Sequence, residues 1–577
     1  MIKSVSCREA VGRGLLYSNI LRGDKEMDKL KPKLFSVMKT YSKDQFVKDV
    51  IAGIIVAIIA LPLSIALAIA SGVGPEAGIY TAIVAGFLVA FFGGSRVQIA
   101  GPTAAFATIV AGIVAKDGTE GLMVATVLAG LFLIIMGLLR FGSLLKFIPF
   151  TITTGFTAGI AVTLFIGQIK DFTGITYLHG EKPIETLEKL EALAANFSTI
   201  NYQAALVGVL ALAILIVWPM IFKKIPGSLI AVIVTAAVVK IFDLNVTTIG
   251  SAFENIRSGL PKFTLTASVL SFDVIRSQLS NALTIALLAG IESLLSAVVA
   301  DSMIGSKHRS NMELIAQGVA NIGSACFGGI PATGAIARTA ANIKNGGRTP
   351  ISGMVHSITL LLVVLFLMPL AKLIPMPCIA AILFQVAYNM SGWRIFVNLC
   401  KSSPKSDILV LLTTFFLTVI FDLVVAIEVG IVLAAILFMK RMSDVTDIEG
   451  WKYVDSEDEE DPDSISLRVV PKNTLVYEIS GPMFFAAAGK ILNISVEEDT
   501  KVLIIRMRGV NAIDATAMHN LEQLYDICAG KGITMVLSHV NSQPMNVMKK
   551  AGFDKKIGQN NFCAHIDDAL KRAEDLQ

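Results

Sequence analysis

Fourteen apolar runs, each long enough to enter a bilayer, occupy most of the first 440 positions of this chain. They fall near 50–70, 78–92, 97–115, 121–139, 147–169, 203–222 and 226–242. A second set falls near 278–300, 311–329, 331–343, 351–370, 373–390, 406–421 and 423–439. Composition agrees: 16% of the 577 residues are charged, against about 25% in soluble domains. Mean hydropathy is +0.68. The runs predict an all-α polytopic membrane domain of fourteen spans, residues 46–441, in two sets of seven.

The basic residues orient it. With the N-terminus inside, the inside loops carry Arg96, Arg140, Lys146, Lys223, Lys224, Lys307, Arg309, Lys344, Arg348, Arg394, Lys401, Lys405, Lys440 and Arg441. The long outside loop near 170–202 is mildly acidic, with Glu181, Glu185, Glu188 and Glu191. This obeys the positive-inside rule and places both termini in the cytoplasm. Residues 1–45 are polar, without the apolar core of a signal peptide, and read as a cytoplasmic segment, part of it either unstructured or upstream of the native start.

Two runs are irregular. "VQIAGPTAAFATIV" (97–110) and "GIPATGAIARTAANI" (329–343) each set a proline before small residues, just after a Gly-Gly pair, Gly93-Gly94 and Gly328-Gly329. Proline suits the first turn of a helix, and glycine permits a non-helical approach. Both runs predict short helices that begin part-way through the membrane. Pro102 and Pro331 are 229 residues apart, and Gly93 and Gly328 are 235 apart. Because seven is odd, two such copies run oppositely, as an inverted repeat whose paired broken segments mark a transport site.

Helix N-termini near Thr103-Ala104 and Thr333-Gly334 would present free N–H groups and positive dipole ends to an anion. Arg338 lies about one and a half turns into the second short helix. A guanidinium at depth is costly and functional by default. Its compensation is a bound anion or a carboxylate, and Glu292 in the eighth run is the candidate, either as a proton carrier or as one half of a structural Arg–Glu lock. Asp301, Lys307, His308 and Arg309 read as a helix-end cluster.

The remaining chemistry is mostly exclusion. The six cysteines show no metal-ligand spacing, the histidines do not pair, and no nucleotide-binding or hydrolase motif occurs. No enzyme, metal or cofactor is expected. A net charge of +4 without a basic stripe gives no nucleic-acid footprint. After an acidic linker (442–465, with "DSEDEEDPDS"), residues 466–577 alternate strand-like "SLRVV", "TLVYEIS", "KVLIIRMRG" and "ITMVLSHV" with helical stretches, the pattern of a small α/β domain.

"ALPLSIALAIASGVGPEAGIYTA", "GGSRVQIAGPTAAF", "GIESLLSAVVADSMIGSKHRSNMELIAQGVANI", "GGIPATGAIARTAANI" and "GPMFFAAA" together resemble the SulP sulfate-permease family of anion transporters. Within it the chain is most similar to the bacterial C4-dicarboxylate branch. The resemblance implies a fourteen-span, seven-plus-seven inverted repeat like that of uracil transporters, a cytoplasmic STAS domain and a homodimer. It also implies an anion site at Gly101, Pro102, Thr103, Ala104, Ala332, Thr333, Gly334 and Arg338, with Glu292 from the eighth span. The glutamine that many relatives carry after the first-span proline is Leu63 here, leaving Ser64 as the nearby polar group. The STAS phosphoacceptor loop reads "IDATAM", so Thr516 beside Asp514 is the candidate phosphosite, with a helix N-cap as the alternative.

The expected function is secondary active transport of a small inorganic or dicarboxylate anion across the plasma membrane. Proton coupling runs through Glu292 by rocking or elevator-type alternating access. Sodium-coupled bicarbonate uptake, a passive anion channel and a membrane-embedded sensor signalling to a cytoplasmic partner of the STAS domain are the alternatives.

Overall fold

In the computed structural model a helix stands on each of the fourteen runs. The structure describes residues 30–143, 149–177, 183, 185–222, 226–253, 259–265, 271–421, 423–451, 469–494 and 499–577. The N-terminal segment before residue 30, Lys146, Glu181, Lys223, Lys224 and the acidic stretch 455–464 lie outside the described residues.

The first set comprises α1 (Lys43–Ala70), α2 (Pro75–Phe92), the two-residue strand β1 (Ala100–Gly101), α3 (Ala104–Leu138), α4 (Phe150–Thr173), α5 (Tyr202–Ile221) and α6 (Gly227–Ile241). The second comprises α7 (Phe272–Ile304), α8 (Ser310–Cys326), β2 (Thr333–Gly334), α9 (Ile336–Lys344), α10 (Pro350–Ala371), α11 (Met376–Ser391), α12 (Lys405–Ile420) and α13 (Leu423–Val445). Among the described residues six helices, α1 to α5 and α7, are long and apolar enough to cross a membrane on their own. The third and fourth runs are joined in α3, interrupted only where Gly118 takes φ 71°, ψ −174°. That conformation is open to glycine without a side-chain penalty. Exposed Leu206, Ile241 and Phe366 give the outer surface an apolar face suited to lipid.

Helix starts follow local chemistry. Ser42 caps α1, its side chain accepting from the Gln45 amide at 3.2 Å, and proline opens α2 and α10. The cap of α10, Thr349, donates its hydroxyl to Asp49 of α1 at 2.5 Å. The same carboxylate accepts from the Arg348 amide (2.9 Å), Gln45 (2.9 Å) and Tyr41 (3.0 Å). The polar run "NGGRTP" is therefore pinned to the base of the first helix. Tyr41, outside the apolar run, has its phenol pushed up to about 12, first by burial and then by the Asp49 charge.

Packing repeats in pairs. Helix α3 packs on α7 and α8, as α10 packs on α1 and α2, and α4 lies against α11. Offset by seven runs, each of the first two contacts maps onto the other, and the α4–α11 contact maps onto itself, as inversion requires. The α3–α8 crossing is close enough that Gly130 and Gly318 meet backbone to backbone. A Cβ on Gly130 would lie 2.6 Å from the Gly318 carbonyl oxygen.

The chain divides into two compact units, Met1–Ile431 and Val432–Gln577. In the second unit a five-stranded sheet has the order β3 (Asp447–Trp451), β4 (Thr474–Ser480), β5 (Val502–Gly509), β6 (Thr534–Ser538) and β7 (Phe562–Cys563). Strand β3 is antiparallel to β4 and the other pairings are parallel. Helices α14 (Ala515–Gly530), α15 (Ser542–Ala551) and α16 (Ile566–Asp575) complete it. Residues 469–470 of the expected strand "SLRVV" are not in a strand, and its first three residues lie outside the described ones. The antiparallel edge is supplied instead by Asp447–Trp451, inside the stretch read as linker.

Gly130→Ala is expected to destabilise the membrane unit by about 1–3 kcal/mol through overpacking at α8. The thermal midpoint of the detergent-solubilised protein reads this, and an unchanged midpoint would refute the close contact.

Candidate functional site

The two broken runs meet. Strand β1 pairs antiparallel with β2, Ala100 opposite Gly334 and Gly101 opposite Thr333. The Ala335 amide continues the contact to the Ile99 carbonyl at 2.9 Å. In lipid an unpaired backbone group costs several kcal/mol, so two non-helical segments at depth must satisfy each other or be satisfied by side chains. Both devices are used. Asn321 of α8 donates to the Ala332 carbonyl (2.9 Å) and accepts from the Ala332 amide (2.9 Å). The Ile330 amide donates to Thr81 of α2 (2.7 Å), and Ser324 donates to the Ile330 carbonyl (2.7 Å). The Gly334 amide donates to Ser293 of α7 (3.0 Å), and the Ile99 amide to Thr339 (3.1 Å). At the first approach Glu313 of α8 accepts from the amides of Gly94 (2.8 Å) and Ser95 (3.0 Å).

Helix α3 begins where the sequence predicts, with Thr103 as its N-cap residue and Ala104 its first residue. The second short helix begins two residues late, at Ile336, because Thr333 and Gly334 are held in β2. Arg338 is thus the third residue of α9, nearer the positive helix end than its expected depth of one and a half turns.

Arg338 is 1% exposed. One guanidinium nitrogen, Nη2, donates to the Pro102 carbonyl at 3.2 Å, across from one broken segment to the other. Its Nε and Nη1 are buried without a hydrogen-bond partner among the described residues. Nη1 lies against Gly101, where a Cβ would collide with it. Glu292 is half-buried on α7 and accepts from the Thr103 hydroxyl at 3.0 Å. It forms no ion pair with Arg338, so the Arg–Glu lock is not what the structure contains. The crossing therefore combines two helix starts, one buried cation without a carboxylate, and a separate carboxylate tied to the cap of α3.

Of the expected residues, the structure joins Gly101, Pro102, Thr103, Thr333, Gly334, Arg338 and Glu292 through direct contacts or shared partners. Thr333 donates to the Ala289 carbonyl (3.1 Å) and shares a 2.7 Å hydrogen bond with Ser293. Ala104 and Ala332 are buried beside them. Ser64 is wholly buried where α2 packs on α1, and makes no hydrogen bond to any of these residues. In the other unit Thr516 is exposed in the first turn of α14, while Asp514 caps that helix, accepting from the amides of Ala517 (2.9 Å) and Phe485 (2.8 Å). Of the expected helix-end cluster, Asp301 holds His308 through both its ring Nδ1 and its amide at 2.7 Å, whereas the Arg309 guanidinium turns to the Lys31 carbonyl and Ser36. Asn321, Ser293, Thr339, Glu313 and His356 were not anticipated. Their signal was available, since each is a polar residue inside or beside an apolar run. A cavity of about 1070 Å³ reaches the second approach at Gly328, Gly329 and Ile330, with Glu76, Glu120 and Lys262 in its wall.

Paired half-helices at the crossing of an inverted repeat, with a buried cation between them, define a membrane transporter for anions rather than an enzyme. The chain belongs to the sulfate permease family, whose model matches residues 46–414, and a STAS domain matches residues 465–569. It is 40% identical to the putative sulfate transporter YvdB of Bacillus subtilis (strain 168), over 92% of this chain and 98% of that protein. It is 32% identical to the bicarbonate transporter BicA of Synechocystis sp. (strain ATCC 27184 / PCC 6803 / Kazusa), over 87% of this chain and 89% of that one. The fold is that of SLC26A9, with a TM-score of 0.82 at 17% identity, covering 98% of this chain and 94% of the other.

Asn321→Ala is expected to lower stability by about 2–5 kcal/mol, because it strands both the amide and the carbonyl of Ala332. Asn321→Asp, which keeps the acceptor, is expected to fall between. Thermal unfolding in detergent measures both, and wild-type behaviour of the alanine variant would show that the clamp holds nothing.

Proposed function

We propose that this protein is a secondary active transporter that carries a small divalent anion, sulfate or a C4-dicarboxylate, across the plasma membrane with a proton. The observation that carries the reading is Arg338. A cation buried at the meeting of two helix starts, with two donors unpartnered and no carboxylate paired to it, is an environment for an anion. The anion lies between the starts of α3 and α9 and accepts from their first-turn amides. Arg338 supplies the positive charge.

Glu292 supplies the coupling. Its carboxylate holds the Thr103 hydroxyl, a donor that the anion also needs. A proton taken by Glu292 removes a negative charge from the site and releases that hydroxyl to the anion. Proton and anion then favour each other's binding, which is the requirement for symport. The half-helices and their partner spans move as one body against the remaining helices. Both termini are cytoplasmic, the protein works as a homodimer, and the STAS domain meets a cytoplasmic partner.

Sodium-coupled bicarbonate transport is the second reading, favoured by the likeness to BicA. It ranks lower because Arg338 already provides the charge that a sodium ion would bring.

Arg338→Ala is expected to reduce uptake to background in proteoliposomes while the protein stays folded and of unchanged size. Normal uptake in that variant would defeat the site. Glu292→Gln is expected to exchange anion but not concentrate it on a pH gradient, and undiminished pH-driven accumulation would remove the proton role. Sulfate, succinate, fumarate and bicarbonate, each tested with proton or sodium gradients, decide the substrate.

A further inference from the structure

One turn of α7 reaches both broken segments. Glu292 accepts from Thr103, the cap of α3, while the next residue, Ser293, is wholly buried against β2. Successive side chains on a helix project about 100° apart, so neighbours can serve two different segments. The Ser293 hydroxyl accepts from the Gly334 amide at 3.0 Å and shares a 2.7 Å bond with Thr333. Thr333 commits its single hydroxyl hydrogen to the Ala289 carbonyl, one turn earlier in α7, at 3.1 Å. Ser293 is therefore the donor to Thr333, and the donors run one way: Gly334 to Ser293, Ser293 to Thr333, Thr333 to Ala289. The Ser293 carbonyl in turn accepts from Gln98 of the first approach at 3.2 Å.

The Thr333 hydroxyl and the Gly334 amide are thus already engaged. Of the two expected hydroxyl donors, Thr103 is the one that a proton on Glu292 can release to an anion. That switch works only while α7 keeps its rotation against the crossing. The buried face of α7 is rich in alanine, with Ala282, Ala286, Ala289, Ala297 and Ala300. Small residues let helices approach closely but offer little resistance to sliding, whereas a buried polar contact fixes register. We propose that Ser293 is the positioning residue for the Glu292 carboxylate, locking α7 to β2 so that Glu292 meets Thr103. This rests on the reading of Glu292 as the proton carrier. Charged groups on the elements packed against α7 have other duties. Arg338 of α9 bonds Pro102, Lys344 ends that helix, and Glu313 of α8 holds Gly94 and Ser95. Asp117 of α3, beside Lys116 and Glu120, accepts from Gln278 (2.8 Å), about four turns from Glu292. On α7 itself Asp273 and Arg276 lie farther still, and Asp301 is tied to His308.

Ser293→Ala removes both hydroxyl bonds. Strand β2 keeps its pairing with β1, and Asn321 still holds Ala332, so α9 and Arg338 stay in place. The loss therefore falls on coupling. Expected in proteoliposomes is a fall of roughly tenfold in sulfate accumulation on a pH gradient, the strength of one hydrogen bond to a charged group. Sulfate exchange without a gradient falls far less, and the uptake rate loses most of its pH dependence. Succinate is the probe if the wild type carries that anion and not sulfate. Ser293→Thr keeps the hydroxyl and is expected to restore accumulation and pH profile. Ser293→Cys, close in size and a weaker donor, repeats the test should the alanine variant fail to fold, with a profile between the two. Equal losses of exchange and accumulation in a folded variant would mark a structural residue only and overturn the proposal. Wild-type accumulation in Ser293→Ala, or a threonine variant indistinguishable from it, would do the same. Glu292→Gln, run beside them, keeps the two readings apart. Undiminished accumulation in that variant removes the proton carrier itself, whereas its uncoupling together with full coupling in Ser293→Ala removes only the positioning role.

Discussion

The transport unit depends on a pairing of four residues. Ala100 and Gly101 meet Gly334 and Thr333 in the middle of a helical assembly, where the bilayer supplies no hydrogen bonds. Everything around that pairing serves to make it affordable. Asn321, Thr81 and Ser324 take up the peptide groups that the two-residue strands leave open, and Ser293 and Thr339 take up the next ones out. Close glycine contacts let the supporting helices come near enough for short side chains to reach. The half-helices begin where they do because the strands end there.

Charge is distributed around the same point with separate duties. Arg338 touches both broken segments, lying on α9 and bonding the Pro102 carbonyl that precedes α3. Glu292 reaches only the α3 side, through Thr103. Keeping the two apart matters, because a buried ion pair would satisfy both and leave nothing for a ligand. Asp49 and Glu313, equally buried, are saturated by backbone and side-chain donors and serve as structural staples.

Much of this was legible in the sequence because proline and glycine act locally. Gly93-Gly94 with Pro102, and Gly328-Gly329 with Pro331, mark the broken segments, and the start of α3 falls on the expected residue. The start of α9 does not, since Thr333 and Gly334 answer to β1 and Ser293 rather than to their own neighbours. Tertiary partners also decided what the sequence left unread. Two-residue strands have no periodicity to detect. Asn321 is an unremarkable amide until Ala332 is placed beside it. The expected Arg338–Glu292 pair failed for a related reason: proximity in the repeat does not say which polar group each side chain meets. In the C-terminal unit the alternation of β4, β5 and β6 with helices was plain, whereas the edge strands β3 and β7 draw their identity from neighbours.

The central pairing is made from main-chain atoms alone, and this bears on how such a protein can diverge. Substitution of Glu292, which bonds Thr103, leaves that pairing untouched, whereas Ser293 of α7 and Arg338 each bond a broken segment directly. Gly101 and Gly334 admit no side chain, because Arg338 and Gln98 already fill the space it would need. Side chains around the crossing can therefore vary freely only where they carry none of its bonds, and those two positions must stay bare. Main-chain pairing and side-chain bonding thus set separate limits on the same few residues.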